Sequence, residues 1–330
     1  MQCPKCQAEI AENQKFCEEC GTQIQAPPPA DAPICHCPAG TSAPDANGFC
    51  ENCGFKVSMP TQVLGAIKFD YAPDLGLVSD RGRHHPVNQD AGIVGRSPSG
   101  AVALVVADGV SSSDKADVAS ATAVAAAYKE MIDAADDEPG QEVVRRAVEV
   151  AHAAVMAIPY TSVRLEEPET TIVVALVRGP SVTIAWVGDS RAYTISSTRS
   201  RLITRDDSWL ADAVEGGMMT LDEALADSRS HSITQCLGML DDQIRIHVRN
   251  IILEPDTWLL ICTDGLWNYF DQLPAMAEAV GEAAPDADAF ELCQHLVKLA
   301  NHAGGHDNIT VATYRISRAG NAINPDGNLA

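Results

Sequence analysis

Four aspartates in this 330-residue chain sit at the tips of apolar runs. They are Asp108 in AVALVVADGV, Asp189 in TIAWVGDSR, Asp264 in WLLICTDGLW and Asp307 in GGHDNITVATY. The runs are too short to span a membrane and rich enough in apolar residues to be buried strands, so each delivers a carboxylate at a strand end. Acids gathered from distant parts of a chain repel one another unless cations lie among them. An all-oxygen cluster suits hard ions such as Mg²⁺ or Mn²⁺. Asp-Gly is more often a hairpin turn. Here, however, Asp108-Gly109 leads into Ser111-Ser112-Ser113-Asp114 and a long Ala-rich helical pattern, with no returning strand.

A second chemistry stands at the N-terminus. Cys3 and Cys6, then Cys17 and Cys20, form two CxxC pairs ten residues apart. Such paired knuckles hold Zn²⁺ tetrahedrally, and the metal supplies folding energy that so short a segment cannot draw from a core. Cys35 and Cys37, with Cys50 and Cys53, repeat the theme with a CxC first half in which His36 is an alternative ligand; four cysteines are the expected set. Two structural Zn²⁺ ions follow. Redox use of one CxxC is the competing reading, and the duplicated spacing favours metal. Cys236, Cys262 and Cys293 lie in apolar surroundings and read as inert core thiols.

The elements that must position the acids follow from punctuation and periodicity. Residues 1–25 form the first zinc ribbon, 26–33 a stiff proline-rich linker, and 34–57 the second knuckle unit. A main domain is expected over 65–318, with a tail lacking order over 319–330. Within the domain, strands are predicted at 101–107, 171–177, 182–187, 191–195, 257–263 and 309–316. Helices are predicted at 117–133, 141–156, 274–281 and 286–302. Strands joined by short links such as Arg178-Gly179-Pro180-Ser181, interrupted by helical blocks, indicate an α+β body with antiparallel pairing. A polar insertion at 205–250 carries Thr220-Leu221-Asp222-Glu223, a capping box that starts a short helix; beside a metal site it reads as a flap, or as a plain surface helix pair.

The formal charge of −22 excludes phosphate-backbone and anionic-membrane partners, which require excess Lys and Arg. Few basic residues accompany the zinc ribbon, so docking to a protein, or a purely structural role, is the expected use. The N-terminus lacks the features of a secretion signal, and the expected compartment is the cytoplasm.

Taken in order, Asn88-Gln89-Asp90, VVADGV, TTIVVAL, VGDSRAY, LLICTDGLW and GGHDNIT resemble the metal-dependent Ser/Thr protein phosphatases of the type 2C class over roughly residues 75–316. The resemblance implies two packed antiparallel β-sheets flanked by helices, with a centre of two Mn²⁺ or Mg²⁺ ions at one end. It implies that Asp108 bridges the ions, that the Gly109 carbonyl binds one of them, and that Asp264 and Asp307 complete the other. Asp189 would hold a third, weaker ion, and Asp90 would hold metal-bound water beside the cluster. Catalysis would rest on Asp108, Asp264 and Asp307 through a metal-activated water. The substrates would be phosphoserine or phosphothreonine proteins, phosphorylated by a separate kinase. Three positions depart from the family pattern. Gln89 replaces a glutamate, and His85 stands where the phosphate-gripping arginine belongs, leaving Arg83 as the expected phosphate contact and Arg81 as the alternative. Val110-Ser111-Ser112-Ser113 lacks the usual histidine, so the leaving-group acid is unassigned, with His84 and His85 nearby. The competing function is a pseudophosphatase that binds phosphoproteins without turnover.

Overall fold

The computed structural model describes residues 66–160, 167–230, 232–239, 244–283 and 286–316. The eight N-terminal cysteines, the linker at 26–33 and the tail at 319–330 lie outside them. The chain divides into two units, Met1–Thr61 and Gln62–Ala330, and the described residues belong to the second.

That unit begins with β1 (Ala66–Ala72), β2 (Leu75–Asp80), β3 (Asp90–Arg96) and β4 (Val102–Asp108). Two long helices follow, α1 (Ala116–Asp133) and α2 (Gly140–Met156). Next come β5 (Ile172–Arg178), β6 (Ser181–Val187), β7 (Arg191–Ile195) and β8 (Ser200–Leu202), then the short helices α3 (Trp209–Glu215) and α4 (Leu221–Leu225). The last part is β9 (His247–Ile252), β10 (Trp258–Cys262), α5 (Asp264–Trp267), α6 (Leu273–Gly281), α7 (Ala289–Ala303) and β11 (Ile309–Arg315). One sheet has the order β1-β2-β11-β10-β7-β8 and the other β3-β4-β5-β6-β9. The described pairings are all antiparallel.

Strand alternation explains the layers. In β4, Leu104 and Val106 join Leu77, Val173, Ile184, Leu259 and Ile261 between the two sheets. Ala103, Val105 and Ala107 point the other way, into a core with α1 and α2. In β10, Leu260 and Cys262 likewise turn outward to meet α6 and α7. The central strands are therefore apolar on both faces, which is why they read as continuous runs, and the layers stack as helix, sheet, sheet, helix. On α2 the buried Val144, Ala147, Val148, Ala151 and Val155 recur every three to four residues and form its sheet-facing stripe.

The predicted strands and helices recur within a few residues of their expected places. β1, β2, β3, β8 and β9 go beyond the expected set. β3, DAGIVGR, looks like loop because of its glycines, yet the structure needs both. A Cβ on Gly92 would stand 2.8 Å from Leu77 Cδ1, and one on Gly95 would stand 2.0 Å from the Tyr128 hydroxyl. The end of the predicted insertion forms β9, an edge strand with a half-exposed face, whose apolar signal is weak. The capping box at Thr220 is present, its side chain and that of Glu223 bonding each other's backbone amides.

Gly265, immediately after Asp264, sits where a Cβ would fall 1.8 Å from the backbone oxygen of Asn308. Gly265→Ala is expected to cost roughly 1–3 kcal/mol, because backbone cannot yield as a side chain tip does. Gly281→Ala, at an open helical position, should raise stability slightly. Thermal melts of the two variants in chelator check the contrast, and equal melting temperatures would contradict it.

Candidate metal centre

The alternation that builds the inter-sheet core also aims the acids. Asp108 has the parity of Leu104 and Val106, and Asp90 that of Val94, so both point between the sheets at one end of the sandwich. They are register partners on neighbouring antiparallel strands. Thr263 has the parity of Leu259 and Ile261, and Thr310 that of Ala312. They come from the other sheet and meet Asp90. The Thr263 hydroxyl donates to Asp90 Oδ2 (2.8 Å), and the Thr310 amide donates to Thr263 Oγ1 (3.0 Å). Ser79 Oγ lies 2.7 Å from Thr310 Oγ1 and accepts from Asn88 Nδ2 (2.9 Å). These buried hydroxyls and the Asn88 amide form a polar floor that closes the apolar core beneath the carboxylates.

Asp264 follows Thr263 into α5, and Asp307 lies on the loop entering β11. The two acid-bearing turns touch through Gly265 and Asn308. Asn308 secures the opposite loop as well. Its Oδ1 accepts from the Gln89 amide (2.6 Å), while its Nδ2 donates to the carbonyls of Arg81 (2.8 Å) and Val87 (3.2 Å). Gly109 is held between Gln89, whose carbonyl accepts its amide (3.1 Å), and the first residue of α1. A Cβ there would stand 2.4 Å from the Ala116 oxygen. Asp108-Gly109 thus leads into a helix and no hairpin.

The site is electrostatically incomplete. Burial, with weaker repulsion from Asp264 and Asp307, pushes Asp90 up to about 8 against the pull of the two threonine hydroxyls. Burial and then Asp90, Asp264, Asp189 and Asp307 hold Asp108 well above the usual carboxylate range, although part of its surface faces solvent. Burial and Asp307 push Asp264 up to about 6, opposed by hydrogen bonding with Asp108, then by Asn268 and the Gly265 amide. Asp189 is raised by burial, then by Asp264 and Asp206. Among the described residues, Asp90 Oδ1 and Asp264 Oδ1 are buried with no hydrogen-bond partner. A buried carboxylate oxygen without a donor is costly, and a hard cation supplies what the protein does not. The donor set therefore fits Mn²⁺ or Mg²⁺, although no three of these side chains already form a closed shell among the described residues.

Asp189 is fixed from two sides. The Trp267 indole, three residues after Asp264, donates to the Asp189 carbonyl (3.0 Å) and lies 3.6 Å beneath the Arg191 guanidinium, which is paired with Asp206. On the other side buried Asp207 accepts the Gly188 amide (3.0 Å) and pairs with His247 (2.8 Å). Its own amide donates to the Gly188 carbonyl (3.0 Å), and its carbonyl accepts from Thr234 on the returning arm of the insertion (2.8 Å).

The three departures from the family pattern have defined surroundings. Gln89 Oε1 accepts the Ser111 hydroxyl (3.0 Å), so two of the changed positions bond each other. His85 Nε2 lies 3.5 Å from Asp307 Oδ1, while the Arg81 guanidinium donates to the His85 carbonyl. Arg83 Nε donates to the Asn301 carbonyl (2.7 Å), so the structure places this expected phosphate contact against the C-terminal turn of α7. His84 stacks on His306 with ring centroids 4.6 Å apart. Sequence reasoning missed Ser79, Thr263, Thr310 and the role of Asn308. The usable signal was position: each threonine stands one step of strand alternation from an inward-facing apolar residue.

A model of the protein phosphatase 2C family matches residues 81–299, and a zinc-ribbon domain model matches residues 2–24. The serine/threonine phosphatase stp of Listeria welshimeri is 27% identical over 238 residues, covering 71% of this chain and 92% of that protein. The serine/threonine protein phosphatase PstP of Mycobacterium tuberculosis is 30% identical over 236 residues, covering 71% of this chain and 43% of its own length. A crystal structure of the PstP catalytic domain in complex with two manganese ions superposes with a TM-score of 0.60 at 27% identity, over 74% of this chain and 98% of that one. With inter-sheet acids, a polar floor and a family match across most of the described body, the chain belongs to the protein phosphatase 2C family of metal-dependent serine/threonine protein phosphatases.

Proposed function

We propose that the chain hydrolyses phosphoserine and phosphothreonine on proteins at a centre of two Mn²⁺ or Mg²⁺ ions. Asp108 and the Gly109 carbonyl, Asp264 and Asp307 would be the ligands, with Asp189 holding a third ion. The observation that carries this is the convergence of acids from both sheets with orphaned, buried carboxylate oxygens on Asp90 and Asp264. When bound, such ions would lower the pKa of a coordinated water and neutralise charge on the transferring phosphoryl group.

The chain's own groups supply the rest. Asp90, held by Thr263 and Thr310, orients water at the floor of the site, and the apolar core behind that floor excludes bulk solvent. Asn308 and Gly265 keep Asp264 and Asp307 side by side. No described cysteine serves as a nucleophile: burial pushes the Cys262 thiol far up and Cys293 to about 12, and Cys236 is buried. His85, whose Nε2 lies 3.5 Å from Asp307 Oδ1, would be a candidate to protonate the leaving group. The zinc ribbon matched at residues 2–24 would be a structural or docking module, and phosphorylation of the substrates would fall to a separate kinase.

The test is p-nitrophenyl phosphate hydrolysis with Mn²⁺ by the wild type and by Asp264→Asn. A fall of about 10³-fold or more is expected from loss of several kcal/mol of transition-state stabilisation. Equal rates would sink the assignment.

A further inference from the structure

Beside the acids lies a cavity of about 560 Å³ between the loop after β2 and the exposed face of α7. Val78 and Val297, both buried, floor it, and Arg83, Lys298, His302 and Asn301 stand on its walls. Lys298 and His302 are four residues apart on α7 and so share one face, while Arg83 reaches in from the other wall. The one carboxylate at its edge, Asp80, is held through Oδ1 by the Gly82 amide (2.9 Å) and Asn301 Nδ2 (3.1 Å), and among the described residues it pairs with neither Arg83 nor Lys298. Among the described residues neither Arg83 nor Lys298 has a carboxylate partner; the Arg83 side chain donates to a backbone carbonyl instead. In a chain with 45 acidic and 23 basic residues, two cations facing one cavity that a single carboxylate, Asp80, also lines are out of keeping with their surroundings. Cations near a helix C-terminus also favour its dipole, which would account for Lys298 and His302 but not for Arg83 or for the cavity.

The groove and the acids share a wall. A Cβ on Gly82 would meet the Asp307 backbone oxygen at 2.1 Å, the Arg83 amide donates to the Gly305 carbonyl (2.8 Å), and His85, two residues on, borders Asp307. Because an extended peptide advances about 3.5 Å per residue, residues flanking a phosphoresidue seated at the acids are the ones that would run along this shared wall.

We propose that this groove receives an anionic side chain flanking the phosphoresidue of the substrate, either a carboxylate or a second phosphate, through Arg83, Lys298 and the Asn301 and His302 side chains. The proposal rests on the phosphatase reading and adds a preference for acidic or multiply phosphorylated segments. It reconciles a strongly acidic enzyme with acidic substrates, because the local field at the groove opposes the global one.

The experiment uses the full Mn²⁺-loaded chain and three phosphoserine peptides: one with neutral flanks, one with glutamates two to four residues away, and one with a non-hydrolysable phosphonate there. In the wild type, KM for the two anionic peptides should be about 3- to 10-fold below that for the neutral one, the range expected from a few exposed charge pairs. The glutamate and phosphonate arms identify which anion is preferred. In Lys298→Glu the ratio should fall to near one or invert, with the melting temperature reporting that the fold is kept. A wild type indifferent to flanking charge, or a Lys298→Glu variant with the wild-type ratio, overturns the proposal. Anisotropy measurements of peptide binding, carried out without turnover, test the groove apart from catalysis. If no peptide is hydrolysed, yet anionic flanks tighten binding to the wild type and not to Lys298→Glu, the groove stands and the catalytic reading fails.

Discussion

Asp108→Asn is expected to lower turnover by about 10³-fold or more while making the metal-free protein more stable. The two effects share one cause. Asp108 stands opposite Asp90 on the neighbouring strand and is repelled by Asp90, Asp264, Asp189 and Asp307. A buried carboxyl held above its usual range must, on folding at neutral pH, either take up a proton or bear an uncompensated charge; both oppose folding, and amide replacement removes that cost at nearly constant volume. The same carboxylate is the proposed ligand shared by two ions, and losing several kcal/mol of charge stabilisation at the reacting phosphoryl group accounts for the rate. Measuring p-nitrophenyl phosphate turnover, Mn²⁺ binding by calorimetry and thermal melting in chelator separates the alternatives. Loss of activity with a lower melting temperature would mean that the variant had merely unfolded. Retained activity with unchanged Mn²⁺ binding would remove Asp108 from the centre.

The second large effect is the response of stability to pH and metal. Asp90 is pushed up to about 8 and Asp264 to about 6, with Asp108 and Asp189 also raised, whereas in the unfolded chain all four titrate near 3.8. Between pH 5 and 8 the folded, metal-free protein therefore holds more protons than the unfolded chain. Stability is full below the unfolded pKa and is lost as pH rises through the folded values. Acids lowered by arginine partners, such as Asp227 at about 2, titrate below this window and do not mask the trend. The melting temperature in chelator should fall from pH 5.5 to pH 8. Mn²⁺ should restore it, most strongly at the higher pH, because the ions replace protons. At a free concentration about 100 times the Kd, the gain is about 2.7 kcal/mol, or roughly 5–10 °C for a domain of this size. A metal-induced shift independent of pH would place the ions on other groups.

Much of this site was legible in the chain because its acids terminate apolar strands. Hydrophobic runs identify β4, β6, β10 and β11, and the acid at or beside each tip is then the candidate for the proposed chemistry. Asp-Gly at 108–109 was readable as something other than a hairpin because a helical pattern follows. The strands before it were hidden by the glycines of β3, which serve tertiary contacts with Leu77 and Tyr128 that no local pattern displays. β9 was hidden by its position at a sheet edge. The floor of Ser79, Thr263 and Thr310 was hidden because its members come from β2, the residue just after β10, and β11, and become neighbours only through strand pairing. Arg83 lies close in sequence to Asp90, and its contacts with the Gly305 and Asn301 carbonyls depend on the approach of α7, which no local pattern displays.

The acids are divided between layers. Asp90 and Asp108 belong to one sheet, whereas Asp264 and Asp307 flank strands of the other, and the Thr263–Asp90 hydrogen bond bridges them. Ions seated there would be fasteners between two slabs, and the fastener would have no purchase until the slabs had docked. Metal should consequently leave the folding rate little changed and slow unfolding instead, since its contacts form after the transition state. In a cell whose Mn²⁺ supply fluctuates, the time a molecule survives before unfolding would then follow the metal.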